Sequence, residues 1–305
     1  MTAQEEFDRE LRLEAMGWLT RRTQDGLEAI RSDELLEFSF NGSPFRLMDA
    51  QRGIRKPREL ESALSIRTVY SPDEARRPYA DEIGDDGSIT YKWRGDDPSH
   101  PENRGLRRAM ELGQPLIWFF GVGTALYKPI YPIYVVREEP EQHQFILAPD
   151  DVAQILRAGE PESEQMRRYV QVESKRRLHQ PVFRATVMRA YETRCAVCAL
   201  KHGELLDAAH IVPDSHESGI ASVTNGLALC KIHHAAFDRH ILGIRPDKYV
   251  VEIRKDLLDE IDGPMLQHGL KERHGEELMV VPKSRRDRPD RQLLEISYER
   301  FRAAS

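Results

Sequence analysis

Only three of the 305 residues are cysteine, an odd number in a chain with no export signature, so a disulfide framework is not expected and metal binding becomes the question. Long apolar runs are missing too. The longest nearly uncharged stretch, 115–127, falls short of the roughly 20 residues that span a bilayer. The N-terminal stretch carries Glu5, Glu6, Asp8 and Glu10 in place of a signal peptide's basic and apolar regions, so a cytoplasmic chain without a membrane partner is expected. Glycine (19) and proline (18) are too few for a collagen-like or low-complexity chain. An excess of positive charge is also absent: 45 Lys and Arg stand against 51 Asp and Glu, a net charge of −6. That excludes a chain coated in basic residues, and leaves any contact with nucleic acid to a local face.

What is present, 40% hydrophobic and 31% charged residues, suits two modest globular domains. Over 4–36 the residues Phe7, Leu11, Ala15, Leu19, Leu27 and Ile30 recur at helical spacing, predicting one or two amphipathic helices. Short β-type runs follow at 37–40, 65–70, 88–91, 115–120 and 130–136, with one helix near 103–112 that should stop at Gly113. From 150 the pattern turns helical and basic. Between 166 and 194 eight Arg and Lys residues face only Glu173 and Glu192, which suits either a solvated linker or a phosphate-tracking surface. A second basic cluster, Lys283, Arg285, Arg286, Arg288 and Arg291, has no evident partner.

Cys195-x-x-Cys198 and Cys230-x-x-His233 form two ligand pairs. Residues two apart bite one ion from a tight turn, and Zn²⁺ accepts sulfur and nitrogen alike, so a structural zinc site of Cys₃His type is expected. Within and after this set come Asp207-Ala208-Ala209-His210, then Thr224-Asn225-Gly226, then His233-His234-Ala235-Ala236-Phe237-Asp238. The stretch resembles an HNH nuclease domain, the ββα-metal fold, with His210, Asn225 and His234 at its three signature positions. The resemblance implies that His210 is the general base, an imidazole being suited to deprotonating water near neutrality. It implies that His234 holds a catalytic divalent cation, Mg²⁺, Mn²⁺ or another transition metal, and that Asn225 clamps the loop bearing the base. Products would carry 5′-phosphate and 3′-hydroxyl ends. Where many members of the family place an Asp before the base, this chain has Ala209. Asp207 and Asp238 are the candidates for that second metal ligand, each with a structural reading beside it. His202, His216 and His240 are assigned no role.

Upstream, Tyr79-Ala80-Asp81-Glu82-Ile83-Gly84 leads to a second aromatic, Tyr91, twelve positions after the first. Farther on stand Asn103-Arg104-Gly105-Leu106 and Gly113-Gln114-Pro115-Leu116-Ile117-Trp118. These are similar to the SRA domain. That resemblance implies a modified cytosine flipped from the duplex between Tyr79 and Tyr91, its Watson–Crick edge read by Glu82 or by Asp81. Lys92 stands where the family often has a small hydroxyl residue. Arg52, Arg55 and Lys56 form a basic loop before this region, and with Arg176 and Arg177 are candidates for contact with the DNA backbone. Trp93 and Trp118 are expected in the core.

The two resemblances together imply an α+β chain: an N-terminal SRA-like (PUA-superfamily) twisted β-barrel joined by a helical linker to a zinc-stapled HNH domain. The expected boundaries are a helical segment 1–36, a reader 37–149, a basic linker 150–190, the nuclease domain 191–255 and an extension 256–305. The chain order resembles bacterial SRA-HNH, type IV-like, modification-dependent restriction endonucleases of antiphage defence. These would act on double-stranded DNA bearing 5-methylcytosine or 5-hydroxymethylcytosine, and cutting both strands with one site per chain implies a homodimer or two successive nicks. Two rivals are an HNH endonuclease reading another mark, such as a phosphorothioate linkage or a different modified base, and a non-catalytic DNA-binding protein, which Ala209 favours.

Overall fold

The computed structural model describes residues 2–71, 89–158, 179–213 and 221–304, with single positions at 164, 170, 172–174, 216 and 219. It is a mixed α+β chain that divides into two compact units, Met1–Val182 and Phe183–Ser305. Among the described residues no helix is long and apolar enough to cross a membrane.

In the first unit, α1 (Ala3–Arg22) starts at a capping box in which Thr2 and Glu5 satisfy each other's backbone N–H. It buries Leu11, Ala15 and Leu19 at helical spacing. Arg12 is buried on the same helix, and its guanidinium binds Asp8 at 2.6 Å, Ser62 Oγ at 2.8 Å and the Ala63 carbonyl at 3.0 Å. One side chain thereby ties the helix to a loop some fifty residues away, and removing Asp8 would leave a buried cation without its counter-charge. The helical periodicity expected to reach Leu36 stops at Arg22. Gln24, Asp25 and Gly26 all take positive φ and turn the chain, and Ile30 then pairs in a sheet with Tyr127.

Strand β1 (Ile30–Arg31) is followed by a small hairpin, β2 (Ser39–Phe40) with β3 (Ser43–Pro44), then by β4 (Ile54–Arg55), β5 (Ser65–Thr68) and β6 (Ile89–Lys92). Helix α2 (Pro101–Leu112) ends where Gly113 takes φ 63°, a left-handed cap that side chains resist, at the stop expected from the sequence. Three longer strands complete the sheet: β7 (Leu116–Gly123), β8 (Leu126–Glu139) and β9 (Gln144–Pro149). The order is β4-β5-β7-β8-β9-β6, with β1 also on β8; only β5 and β7 run parallel. Register shifts along β7–β8 and β8–β9 mark bulges, which bend the long β8 and curl the sheet. Trp118 is buried on β7 and donates to Thr68 Oγ1 at 3.0 Å, while Trp93 stacks on His143 with centroids 5.0 Å apart. Helix α3 (Asp150–Ala158) closes this part of the chain.

Helix α4 (Gln180–Ala190) runs into the second unit. There β10 (Leu206–His210) and β11 (Gly226–Cys230) form an antiparallel hairpin, paired from Leu206↔Cys230 to His210↔Gly226, and α5 (Lys231–Asp238) follows directly from β11. A second hairpin, β12 (Leu242–Arg245) with β13 (Val250–Ile253), leads through the short helices α6 (Lys255–Asp259) and α7 (Pro264–Gly269) to α8 (Arg291–Ala303). Leu227, Leu229, Leu242, Ile244, Val251 and Leu294 meet in one core beneath both hairpins. Such apolar burial, worth about 25 cal/mol per Å², holds the site's backbone in place.

Candidate active site and metal centre

The metal centre is built by two turns. At the first, Ala199 takes φ 57° and donates to the Cys195 carbonyl at 2.9 Å, while Cys195 N–H donates to the Leu200 carbonyl at 3.0 Å. The chain doubles back there and turns the Cys195 and Cys198 thiols the same way. At the second, Cys230 ends β11 and caps α5, so His233, three residues on, shares its helix face. The four ligand atoms all lie within 4.8 Å of one another. His233 Nδ1 is 3.1 Å from Cys230 Sγ and 3.4 Å from Cys195 Sγ, and its Nε2–H donates to the Gly269 carbonyl at 2.7 Å. That second bond fixes the tautomer whose bare Nδ1 faces the sulfurs, the arrangement common around metal-bound histidines. Cys230 N–H also donates to Cys195 Sγ at 3.3 Å. Three thiols and an oriented imidazole at one buried point fit zinc.

Beside this centre, side chains alternate along β10. Asp207 meets Lys231 and His234 of α5, and His210, at the end of the strand, meets α4. His210 lies flat on Phe183 of α4, with ring centroids 4.0 Å apart and planes 9° from parallel. Gly226, its cross-strand partner, leaves the space that allows this stack, since a Cβ there would strike Val187 Cγ2 and come within 3.1 Å of Phe183 Cζ. Asn225 is fully buried. Its Oδ1 accepts from Val212 N–H and its Nδ2 donates to the Val212 carbonyl, both at 2.9 Å, and its own carbonyl accepts from Ile211 N–H. The two residues after His210 are thus held on both edges.

His234 projects from α5 between two carboxylates. Asp207 Oδ2 lies 3.4 Å from its Nδ1, and Asp238 Oδ2 lies 3.4 Å from its Nε2. One imidazole can present one nitrogen to a metal and donate from the other, so each carboxylate serves one of these tasks. Lys231 Nζ also reaches Asp207 Oδ2, at 2.6 Å. Burial raises the Asp207 carboxyl, but hydrogen bonds from Lys231 and His234 together hold it below the ordinary carboxylate range. Ala209 is fully buried in the core, so the site's acidic group on this face stands two residues earlier.

Of the residues expected to read the base, Tyr79, Asp81 and Glu82 lie outside the described residues, as do Arg176 and Arg177. Tyr91 is on β6, half-buried, and its hydroxyl lies 3.0 Å from the Gly53 carbonyl and 3.2 Å from that of Arg67. Gly53 belongs to the basic loop, where Arg52 faces the buried Glu102 at 3.7 Å, Arg55 donates to the Arg46 carbonyl and Lys56 to the Leu60 carbonyl. Lys56 also lines a cavity of about 560 Å³ with Arg104, Arg107 and Arg108. Lys92 reaches across to Gln144 Oε1 at 2.6 Å. Phe183, Gly226, Lys231 and the Gly269 carbonyl were not singled out from the sequence. An Asn-Gly pair opening a strand was a faint signal for one of them, and contacts from remote segments leave none for the others.

Residues 195–245 match the HNH endonuclease family, so the chain carries an HNH endonuclease domain. No curated protein matches the chain. Solved structures similar to it include two modification-dependent enzymes by their descriptions. One is described as "Modification dependent TagI restriction endonuclease", with 19% identity, 83% of this chain and 86% of that chain covered, and a TM-score of 0.29. The other is described as "Structure of the Type IV phosphorothioation-dependent restriction endonuclease ScoMcrA", with 14% identity, 84% and 52% covered, and a TM-score of 0.25. Both likenesses are too slight to define the fold.

Proposed function

We propose that the chain is a modification-dependent endodeoxyribonuclease: an SRA-like barrel in 37–149 flips out 5-methylcytosine or 5-hydroxymethylcytosine, and the HNH domain hydrolyses a nearby phosphodiester. The observation that carries this reading is the position of His210, Asn225 and His234 on one hairpin and its following helix, beside the Cys₃His cluster. His210 takes a proton from the attacking water, and its stack on Phe183 holds the ring in place for that task. Asn225 positions that base through Val212. His234 and Asp207 would hold the divalent cation, Mg²⁺, Mn²⁺ or another transition metal. When bound, the ion supplies charge to offset that on the scissile phosphate and the departing 3′ oxygen, giving 5′-phosphate and 3′-hydroxyl ends. Zinc on Cys195, Cys198, Cys230 and His233 is structural. In the reader, Tyr79 and Tyr91 stack the flipped base, Glu82 or Asp81 accepts from its exocyclic amine, and Arg52, Arg55, Lys56, Arg176 and Arg177 meet phosphates. Two copies, or two successive nicks, complete a double-strand cut.

The test is incubation of the whole chain with Mg²⁺, Mn²⁺, Co²⁺ or Ni²⁺ on otherwise identical plasmids that are unmodified, 5-methylcytosine-bearing, 5-hydroxymethylcytosine-bearing or phosphorothioate-bearing. Cleavage confined to the modified cytosines, and abolished by His210→Ala, is expected. Cutting of the phosphorothioate plasmid alone overturns the reader and keeps the nuclease, and no cutting with any metal overturns the nuclease.

A further inference from the structure

The second basic cluster of the sequence, in 282–291, had no partner assigned. The structure lays this segment against the nuclease hairpin. Asp290 N–H donates to the Thr224 carbonyl at 2.9 Å, directly before the Asn225 clamp, and Tyr249 Oη donates to the Pro289 carbonyl at 3.1 Å. Arg189 of α4 pairs with Asp287 at 3.1 Å, and Arg288 Nε donates to the Pro282 carbonyl at 3.1 Å. Just upstream, Val280 N–H donates to the Ala196 carbonyl in the zinc-binding turn.

The charges are sorted by these contacts. Five cations and two carboxylates occupy the segment. Asp287 is spent on Arg189, and Asp290 caps α8 by accepting from Gln292 and Leu293 N–H. Arg285 and Arg286 are exposed and have no ion pair with another described residue, whereas Lys283 pairs with Glu192 and Arg288 donates to the Pro282 carbonyl. Two consecutive exposed cations that no other described residue neutralises can meet an anion from outside the fold. Their place beside the loop that follows His210 makes the natural anion the backbone of the strand being cut.

We propose that Arg285 and Arg286 bind the DNA phosphates flanking the scissile bond and hold the duplex on the nuclease domain irrespective of its modification. The assignment rests on the nuclease reading above. It requires these arginines to act on substrate affinity and on its salt dependence, not on the chemical step.

The experiment compares the whole chain with Arg285→Ala/Arg286→Ala and with a control of equal charge, Arg300→Ala/Arg302→Ala, in the last turn of α8. Binding to an unmodified duplex is measured without added divalent cation over a range of NaCl concentrations, with zinc content and melting temperature checked to confirm folding. Loss of two phosphate contacts should make the slope of log Kd against log salt shallower by about 1.8, so that binding equal near 1 M salt is about 60-fold weaker near 0.1 M, and the control should change the slope far less. In cleavage, KM should rise and kcat at saturating DNA should hold. A slope unmoved in Arg285→Ala/Arg286→Ala, or moved equally in the control, overturns the assignment even if the wild-type chain cuts DNA. A slope that shifts as stated in a chain that never cuts supports the phosphate contact and overturns the nuclease reading. A wild-type chain that binds no DNA overturns both.

Discussion

Lys231 holds its ammonium 2.6 Å from Asp207 Oδ2, the same oxygen that faces His234 Nδ1 at 3.4 Å. A lysine thus competes with any divalent cation for this carboxylate, and its charge opposes the ion's approach. Lys231→Met is expected to lower the divalent-metal concentration giving half-maximal cleavage, and Asp207→Asn to raise it about 10- to 100-fold. Asp238→Asn, on the other nitrogen of His234, should have the smaller effect. The reverse ranking in a metal titration would give the ligand role to Asp238. Because Asp207 titrates below the ordinary carboxylate range, it stays ionised through neutrality, and any stability it contributes fades only as pH falls through its lowered value. A loss of cleavage already evident above about pH 5 therefore belongs to another group.

Gly226→Ala places a methyl group against Val187 and Phe183. Overpacking of this kind costs about 1–3 kcal/mol, and relief by moving Phe183 disturbs the surface on which His210 lies. A lower melting temperature should accompany a fall in kcat, with zinc content unchanged. A variant as active and as stable as wild type would show that the contact between α4 and the hairpin is looser than described.

Metal analysis of the purified chain should find about one zinc per chain, and Cys198→Ser should lose it. Since Cys195 and Cys198 lie in one turn, and Cys230 and His233 at the junction of β11 and α5, an ion held by all four would join segments far apart in sequence. Its removal by a chelator should abolish the cooperative unfolding of the second unit, followed by near-UV circular dichroism. A zinc-free Cys198→Ser protein melting as wild type does would falsify the staple.

Tyr91 separates ring from hydroxyl. Tyr91→Phe gives up the one proton that the hydroxyl shares between the Gly53 and Arg67 carbonyls, at about 1 kcal/mol in all, yet keeps a flat face for stacking. Discrimination between methylated and unmethylated DNA should survive Tyr91→Phe and vanish in Tyr91→Ala. Equal losses would mean that the tyrosine acts only by holding the basic loop.

The parts legible from sequence are those whose signal is local. Gly113 ends α2 because a left-handed cap needs no partner beyond the helix itself. The ligand pairs announce themselves because each pair closes within one turn. Ile30, by contrast, keeps helical spacing with Leu19 and Leu27 but lies in a strand, because a turn at 24–26 intervenes and β8 offers an edge nearly a hundred residues away. The stack of Phe183 on His210 and the hold of Gly269 on His233 escape sequence reading for the same reason, each depending on a segment far along the chain.

The bond from His233 Nε2 to the Gly269 carbonyl also bears on how far this nuclease domain can be transplanted. The family match closes at residue 245, yet His233 of the Cys₃His set is oriented by a residue well past it, and a Cβ on Gly243 would come within 2.5 Å of Phe301 Cγ near the end of α8. Grafted onto another protein as 195–245 alone, the domain would have its motif without the parts that aim it. The portable piece is the whole of the second unit, with its C-terminal sixty residues as scaffold rather than appendage.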